Sequence, residues 1–380
     1  MRTAMKWLGR LLLGLLTLVA VLLLVLKLLY GGGRTDFPDR SGSPSLPESA
    51  LEVVAELPTP PGNIAVSADG RVFVSLHPEA KPSQTLMELV SGQAQPWPSA
   101  AAQAQFTDVL GIRIDAQQRL WTLDNGGHGL KPVKLTAFDV ASGKILREIV
   151  FDRAIAGPGS HHNDLQVSAD GSTIYIADAS FFGLKPALVV LDVASGKARR
   201  LLERHASVTP ESYIPVVQGR TMEAFGLVAI RPGVDSIALS RDGQWLYYAP
   251  ITSEHLYRVR AADLRDPALG AEQLAGQVET LAAKTMSDGI SSDDQGRIYL
   301  SDLEHSAVVR YAPDTGTMET LIKTDRLRWP DGFSFGPDGW LYVTGSALHQ
   351  VIGLPPSSVA AHAPYPVFRF KPGATAAAGH

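Results

Sequence analysis

Ser160-His161-His162-Asn163-Asp164 stands directly before an alternating apolar run that turns at Asp170-Gly171. Two imidazoles, an amide and a carboxylate supply a base that titrates near neutral pH and oxygen donors suited to a hard cation. Adjacent histidines on an extended segment point to opposite sides. One of His161 and His162 therefore faces any site, and the other packs or meets solvent. An ordinary polar loop has the same composition, because Asn and Asp before a strand commonly cap turns. The choice depends on whether the fold brings other polar groups to the start of this strand.

The elements around it repeat. Six segments share one pattern: "GNIAVSADGRVFVS" from Gly62, "LGIRIDAQQRLWTLD" from Leu110, "NDLQVSADGSTIYIAD" from Asn163, "DSIALSRDGQWLYYA" from Asp235, "DGISSDDQGRIYLSD" from Asp288 and "DGFSFGPDGWLYVTG" from Asp331. Each is a short alternating strand, a turn of Asp-Gly type and a second strand rich in aromatic and β-branched residues, which is a β-hairpin. The intervals, roughly 40 to 70 residues, leave room for two more strands per unit. "LTAFDVASGKILREIVF" (135–151) and "ALVVLDVASGK" (187–197) are such strands. The pattern predicts an all-β fold, a six-bladed β-propeller over residues 50–372. Closing the ring removes an open edge, so "ALEVVAELP" (50–58) is expected to complete the last blade beside "YPVFRFKP" (365–372).

The first strand of a propeller blade lines the channel. Aligned on the turns, its first position is Gly62, Leu110, Asn163, Asp235, Asp288 and Asp331. Four successive blades thus present an amide and three carboxylates at one channel mouth. Carboxylates gathered there repel one another unless a cation, a proton or a cationic ligand joins them. Asn163, Asp235, Asp288 and Asp331 are therefore candidate ligands of one divalent cation, Ca²⁺ or Mg²⁺, and no organic cofactor is expected. The second strands return to the same face and end in Asp124, Asp178 and Asp302. These three, with Phe181 and Trp329, are candidate ligand-binding residues, and His161 or His162 is the candidate catalytic base. His128 and His305 are weaker candidates.

The rest of the chain bounds these readings. It has 380 residues, 45% of them hydrophobic, a formal charge of -4 and no cysteine. Nucleic acid is not the expected partner, and disulfides, thiolate metal sites and cysteine nucleophiles are excluded. Residues 1–30 carry Arg2, Lys6 and Arg10 ahead of "LLLGLLTLVAVLLLVL", which with Lys27 to Tyr30 is long enough to cross a bilayer about 30 Å thick. The flanking charges predict an uncleaved signal anchor, single-pass, with the propeller in the periplasm or outside the cell; cleavage near "GGG" is the alternative. Residues 31–49, rich in Gly, Pro and Ser, read as a flexible linker, and 373–380 as a disordered tail. A monomer binding a small molecule is expected.

"GIRIDAQQRLWTLDNG", "HHNDLQVSADGSTIYIADAS", "GVDSIALSRDGQWLYYAPITSEHLYRV", "SDGISSDDQGRIYLSDLEHSAVVRY" and "LRWPDGFSFGPDGWLYVTGSAL" follow one another in this order. On these segments the chain resembles the yellow/major royal jelly protein family over nearly the whole soluble part. The resemblance implies the six-bladed fold. Among insect members, it implies dopachrome conversion, amine binding or storage. More distantly the chain is similar to the senescence-marker/gluconolactonase propellers, in which a Glu, Asn, Asn, Asp set holds one divalent cation for lactone hydrolysis. Asn163, Asp235, Asp288 and Asp331 resemble that ring in position, whereas Gly62 stands where it has a glutamate. Three readings stay open: a tautomerase of the yellow type, a metal-dependent lactonase, and a non-catalytic binder of amines.

Overall fold

In a computed structural model, residues 2–377 and 379 are described. The turns written into the repeats form as their chemistry requires. In blade 3 the Asp170 carboxylate accepts from the Ser168 hydroxyl at 2.5 Å and from Ser172 N–H at 3.0 Å, and Gly171 takes the left-handed conformation that closes the hairpin (φ +70°). In blade 2 the turn residue Asp115 accepts from Gln117 N–H, from Arg119 Nε at 2.6 Å and from the buried Trp121 Nε1 at 2.7 Å. One carboxylate thus ties its turn to the core.

Six four-stranded antiparallel sheets follow. Blade 1 begins with the inner strand Pro61–Val66, blade 2 with Val109–Ile114, blade 3 with His162–Val167, blade 4 with Val234–Leu239, blade 5 with Ile290–Ser292 and blade 6 with Pro330–Phe335. The inner strands touch their neighbours all the way round, from blade 6 back to blade 1. Blade 6 takes its outermost strand from the other end of the chain: Glu52–Leu57 pairs antiparallel with Tyr365–Phe370. The closure expected from the ends of the repeat region is therefore present.

Apolar packing sits between blades. Each neighbouring pair shares its own buried cluster, such as Trp121, Leu135 and Leu165 between blades 2 and 3, or Tyr299, Phe333 and Phe368 between blades 5 and 6. A seventh cluster caps one face, with Tyr213, Met222, Trp329, Leu348 and Tyr365. It is built from long insertions, residues 202–233 and 346–364, which are loop-rich and carry short hairpins and the helix Pro356–Ala361.

The N-terminal helix, Arg2–Tyr30, has no proline and stops at a glycine run in which Gly32 is left-handed (φ +74°). Residues 31–49, expected to be a flexible linker, lie along the propeller. Phe37 is buried in the capping cluster with its ring 4.9 Å from that of Tyr213. Further on, Ser45 and Leu46 N–H donate to Thr320 and Leu321 O at 2.9 and 2.8 Å, covering the open edge of blade 5. The apolar Phe37 and that unpaired edge hold a segment whose composition alone suggests freedom. Of the tail expected to be disordered, Thr375 O accepts from Asp294 N–H and Gly379 O from Arg113 Nη1 at 3.0 Å, against the far end of the channel; Ala378 and His380 lie outside the described residues.

Candidate functional site

Register irregularities occur at the start of the inner strands of blades 1, 2, 3, 4 and 6, between Pro61 and Ile64, Val109 and Ile112, His162 and Leu165, Val234 and Ser236, and Pro330 and Phe333. A bulge re-aims side chains, and it falls at the position where the polar residues stand. Backbone N–H groups at these strand starts, and at the unbulged start of blade 5, find hydroxyls on the adjacent strand. Ser301 Oγ accepts from Asp288 N–H at 2.9 Å and Gly289 N–H at 3.0 Å, Ser75 Oγ from Asn63 N–H, and Thr344 Oγ1 from Gly332 N–H. Neighbouring strands come so close here that a Cβ on Gly289 would lie 1.8 Å from Asp331 O, and one on Gly111 2.2 Å from Asn163 O.

The result is a cavity of about 150 Å³ at the channel mouth. Its floor carries Asn163, Asp235, Asp288 and Asp331. Its walls are largely apolar: Leu110, Phe181, Phe182, Ile230, Ile251, Trp329, Leu348 and Ile352. His77, Glu79, His128 and His161 line one side. Trp329 Nε1–H donates to Asp288 Oδ2 at 2.6 Å, and Ser346 Oγ–H to Asp331 Oδ2 at 2.8 Å. Asp235 Oδ1 is buried without a hydrogen-bond partner. Burial first, then the charges of Asp288 and Asp331, raises Asp235 well above the usual carboxylate range. Asp331 is raised well above it too, by burial and by Asp288. Burial pushes Asp288 up to about 6, against the pull of Trp329 and Lys284.

Below the floor the channel is blocked. Arg113 lies 3.7 Å from Asp164, which also accepts from Asn63 Nδ2 at 3.1 Å. Between this layer and the floor is a cavity of only about 10 Å³, on the scale of one water. A ligand therefore reaches the floor from above.

The histidines divide as alternation requires. His161 faces the cavity, its Nδ1 2.9 Å from His128 Nδ1. His128 Nε2 is 3.6 Å from Glu79 Oε1. Burial and then the neighbouring His128 push His161 down to about 3, so it is neutral at physiological pH. The His128 imidazole holds Glu79 down at about 2. His162, the other candidate base, points into the core between blades. It is wholly buried, with its ring 5.3 Å from that of Phe151 and Nδ1 3.8 Å from Asp178, and does not line the cavity.

The three aspartates that end second strands do not line the cavity either. They shape the loops around it. Asp124 accepts from Thr107, Asp108 and Gly126 N–H. Asp178 accepts from His161 N–H at 2.6 Å and pairs with Arg200 at 2.5 Å. Asp302 meets His305 Nδ1 at 3.0 Å. A carboxylate at the end of a strand meets the free N–H groups of the following turn first. Among the described residues, the one group of three His or carboxylate side chains whose ligand atoms all lie within 4.8 Å of one another is Asp39, Asp302 and His305. There the imidazole bridges two carboxylates, which raises its pKa through the Asp302 hydrogen bond and pins residues 31–49 to blade 5.

Of the sequence candidates, Asn163, Asp235, Asp288, Asp331, His161, Phe181 and Trp329 converge. His77 and Glu79 were not foreseen, because blade 1 has only Gly62 at the aligned position. The signal was "LHPEA", which follows the second strand of blade 1 as "NGGHG" and "ASFFG" follow those of blades 2 and 3. His128, rated weak from sequence, is held inward by its loop. Asn125 Oδ1 caps its N–H at 3.2 Å, His128 is itself left-handed (φ +55°), and a Cβ on Gly129 would lie 2.0 Å from Gly157 O.

Such a molecule is a six-bladed propeller with a polar-floored, apolar-walled cavity at its channel mouth. The chain belongs to the major royal jelly protein family, whose sequence profile matches residues 107–332. Major royal jelly protein 9 of Apis mellifera is 24% identical over 213 residues, covering 53% of this chain and 48% of that protein. Major royal jelly protein 1 of Apis mellifera is 27% identical over 191 residues, covering 45% and 42%. The chain thus spans less than half the length of these relatives. Among solved structures, a luciferin-regenerating enzyme superposes with a TM-score of 0.56 at 13% identity, over 87% of this chain and 97% of its own. Regucalcin of Agrobacterium tumefaciens str. C58, a calcium-binding protein, gives 0.53 at 17% identity over 84% and 93%. A putative gluconolactonase gives 0.52 at 14% over 89% and 97%. At these identities the likeness shows the fold alone.

Proposed function

We propose that the cavity binds a small cyclic or aromatic molecule above a divalent cation, and moves protons on it in a tautomerisation of the dopachrome type. The observation that carries this reading is the placement of Asp235, Asp288 and Asp331 on the floor of the apolar-walled cavity that His128 and His161 also line. Three buried carboxylates at one mouth cannot all ionise at low cost. Asp235 Oδ1, unpartnered and buried, is an acceptor without a donor. Asn163, Asp235, Asp288 and Asp331 offer carbonyl and carboxylate oxygens to this floor, the donor type of Ca²⁺ or Mg²⁺; the three aspartates, whose oxygens do not all lie within 4.8 Å of one another, would draw in around the ion. Asn163, Asp235, Asp288 and Asp331 would hold such an ion, which would supply polarisation of a ligand oxygen.

The protein's own groups supply the rest. Leu110, Phe181, Phe182 and Trp329 offer flat apolar contact for a ring and exclude water. Leu110, at one of the two remaining ring positions, adds to the apolar wall, which favours an aromatic ring over a polyol lactone. His161, with Nδ1 engaged by His128, has Nε2 left to take a proton from the ligand. The charge that forms passes through Nδ1 to His128, where the ionised Glu79 stabilises it, and His161 Nε2 then gives the proton back at the ligand's second position, so the pair ends as it began. This is the logic of a base oriented by a second group and a carboxylate.

The test is turnover by the full chain in detergent. Substrates are a dopachrome-type quinone, an aromatic lactone and a sugar lactone, each with and without chelator. Conversion of the quinone should need the cation, and His161→Gln should lower kcat by about 10²–10⁴-fold, the usual contribution of a positioned acid–base group, while cation binding is kept. Lactone opening unaffected by His161→Gln selects the hydrolase instead. Tight amine binding without turnover selects the binder.

A further inference from the structure

The N-terminal helix is joined to the rim of the cavity. Lys27 Nζ donates to Glu223 Oε1 at 3.0 Å and to Gly226 O at 2.8 Å. Tyr30 OH donates to Phe182 O at 2.9 Å, and its ring lies 5.7 Å from that of Phe181. Arg231 holds Gly31 O at 3.3 Å, and a Cβ on Gly31 would lie 2.6 Å from Leu227 O. No slack chain separates the helix from the propeller. The helix leaves the body at the loop whose phenylalanines wall the cavity.

Residues Met5–Tyr30 form an apolar helix, none of it buried, that is long enough to cross a membrane. At 1.5 Å per residue it measures about 39 Å, against about 30 Å of hydrocarbon. Trp7 and Tyr30 stand near its ends, about 35 Å apart by the same rise, and such side chains settle at the two interfaces. Tyr30, and with it the cavity rim, then lies at headgroup level. The surface around the helix exit suits that level. Phe225, in the loop that holds Lys27, is 89% exposed, Leu130 70% and Phe182 54%. Exposed Lys131 and Lys185 adjoin Leu130 and the Phe181–Leu184 loop, where they can meet lipid phosphates. Scattered exposed apolar side chains are common on soluble proteins. Here Phe225 and Phe182 stand on the two loops that hold the helix exit at Lys27 and Tyr30.

We infer that the cavity face of the propeller rests on the membrane surface, with Phe225 and Leu130 in the headgroup layer, so that the mouth opens toward lipid. The contact with lipid stands on the helix and rim alone. Its consequence for the ligand rests on the cavity being the functional site: the ligand class is an amphiphilic ring compound that partitions into the bilayer interface, taken up from there rather than from bulk water.

The chain has no cysteine, so single labelling sites are clean. Phe225→Cys, Leu130→Cys and, on the opposite face, Ser195→Cys in the turn after the third strand of blade 3 would each carry an environment-sensitive fluorophore. All three are exposed, so folding is not at stake. The full chain is reconstituted in vesicles of phosphatidylethanolamine and phosphatidylglycerol containing a lipid with a shallow nitroxide quencher. Quenching at 225 and 130 should exceed that at 195 several-fold. Equal quenching at the three sites, or stronger quenching at 195, overturns the inference, as does a membrane-extracted chain whose N-terminus begins at or after Gly31. The readout needs neither cation nor turnover, so failure of the proposed chemistry leaves it intact.

Discussion

Asp288 carries opposed influences in one side chain. Burial pushes its pKa up to about 6, while the Trp329 N–H and the buried Lys284 pull it down and Asp164 pushes it up. Between pH about 4 and 6 the folded chain therefore holds a proton that the unfolded chain has released. Folding stability contributed by this group falls as pH rises through that window. Buried histidines work the other way: His77 and His161, pushed down to about 4 and about 3, add stability as pH rises toward 6.5. The comparison must be with Asp288→Asn, which keeps an acceptor for Trp329. In cation-free buffer the variant should gain on the wild type as pH rises from 4 to 7, by on the order of 1–3 kcal/mol, and lose that gain when Ca²⁺ saturates the wild type. Thermal melts at several pH values check it; a constant difference would mean Asp288 is ionised throughout. At this scale the sequence was informative where a turn fixed the register. Counting back from each Asp-Gly turn led to Asn163, Asp235, Asp288 and Asp331. It failed for Asp124, Asp178 and Asp302, which count to the same face but spend their oxygens on loop N–H groups.

The elements that aim the floor are the starts of the inner strands, bulged in five blades and backed by hydroxyls. Ser301 Oγ takes two backbone N–H groups, those of Asp288 and Gly289. Ser301→Ala leaves both buried and unpaired, and should cost about 1–3 kcal/mol and weaken cation binding together with stability. Gly289→Ala should be worse, since the new Cβ meets Asp331 O directly; the expected result is an insoluble or strongly destabilised chain. Chemical denaturation of the two variants measures both. If Ser301→Ala is neutral, a water replaces the hydroxyl and the start of the strand is not held by it. Hairpins were legible because period-two alternation and turn chemistry are local. The capping insertions, residues 202–233 and 346–364, were not, because they carry little regular periodicity and bury their apolar residues against distant parts of the chain such as Phe37, Ile251 and Trp329. They supply Ile230, Leu348 and Ile352 to the cavity.

At the scale of the whole molecule, closure joins the ends of the chain. Glu52–Leu57 completes the blade formed by residues 330–370, with Arg369 held to Glu52 at 2.9 Å. A chain lacking residues 51–57 exposes the edge at Tyr365–Phe370 and uncovers Val367 and Tyr342. It should lose cooperative unfolding and aggregate; a sharp melt near that of the wild type would show that the sixth blade is dispensable. The central claim also belongs here, because the floor exists only where four blades meet. Its most direct test is calorimetric titration of Ca²⁺ and Mg²⁺ into the chelator-stripped full chain, in detergent, beside Asp235→Asn. The account predicts one ion bound per chain in the wild type and at least about tenfold weaker binding in the variant, equivalent to about 1.4 kcal/mol. Equal binding by both proteins, or by neither, would contradict it.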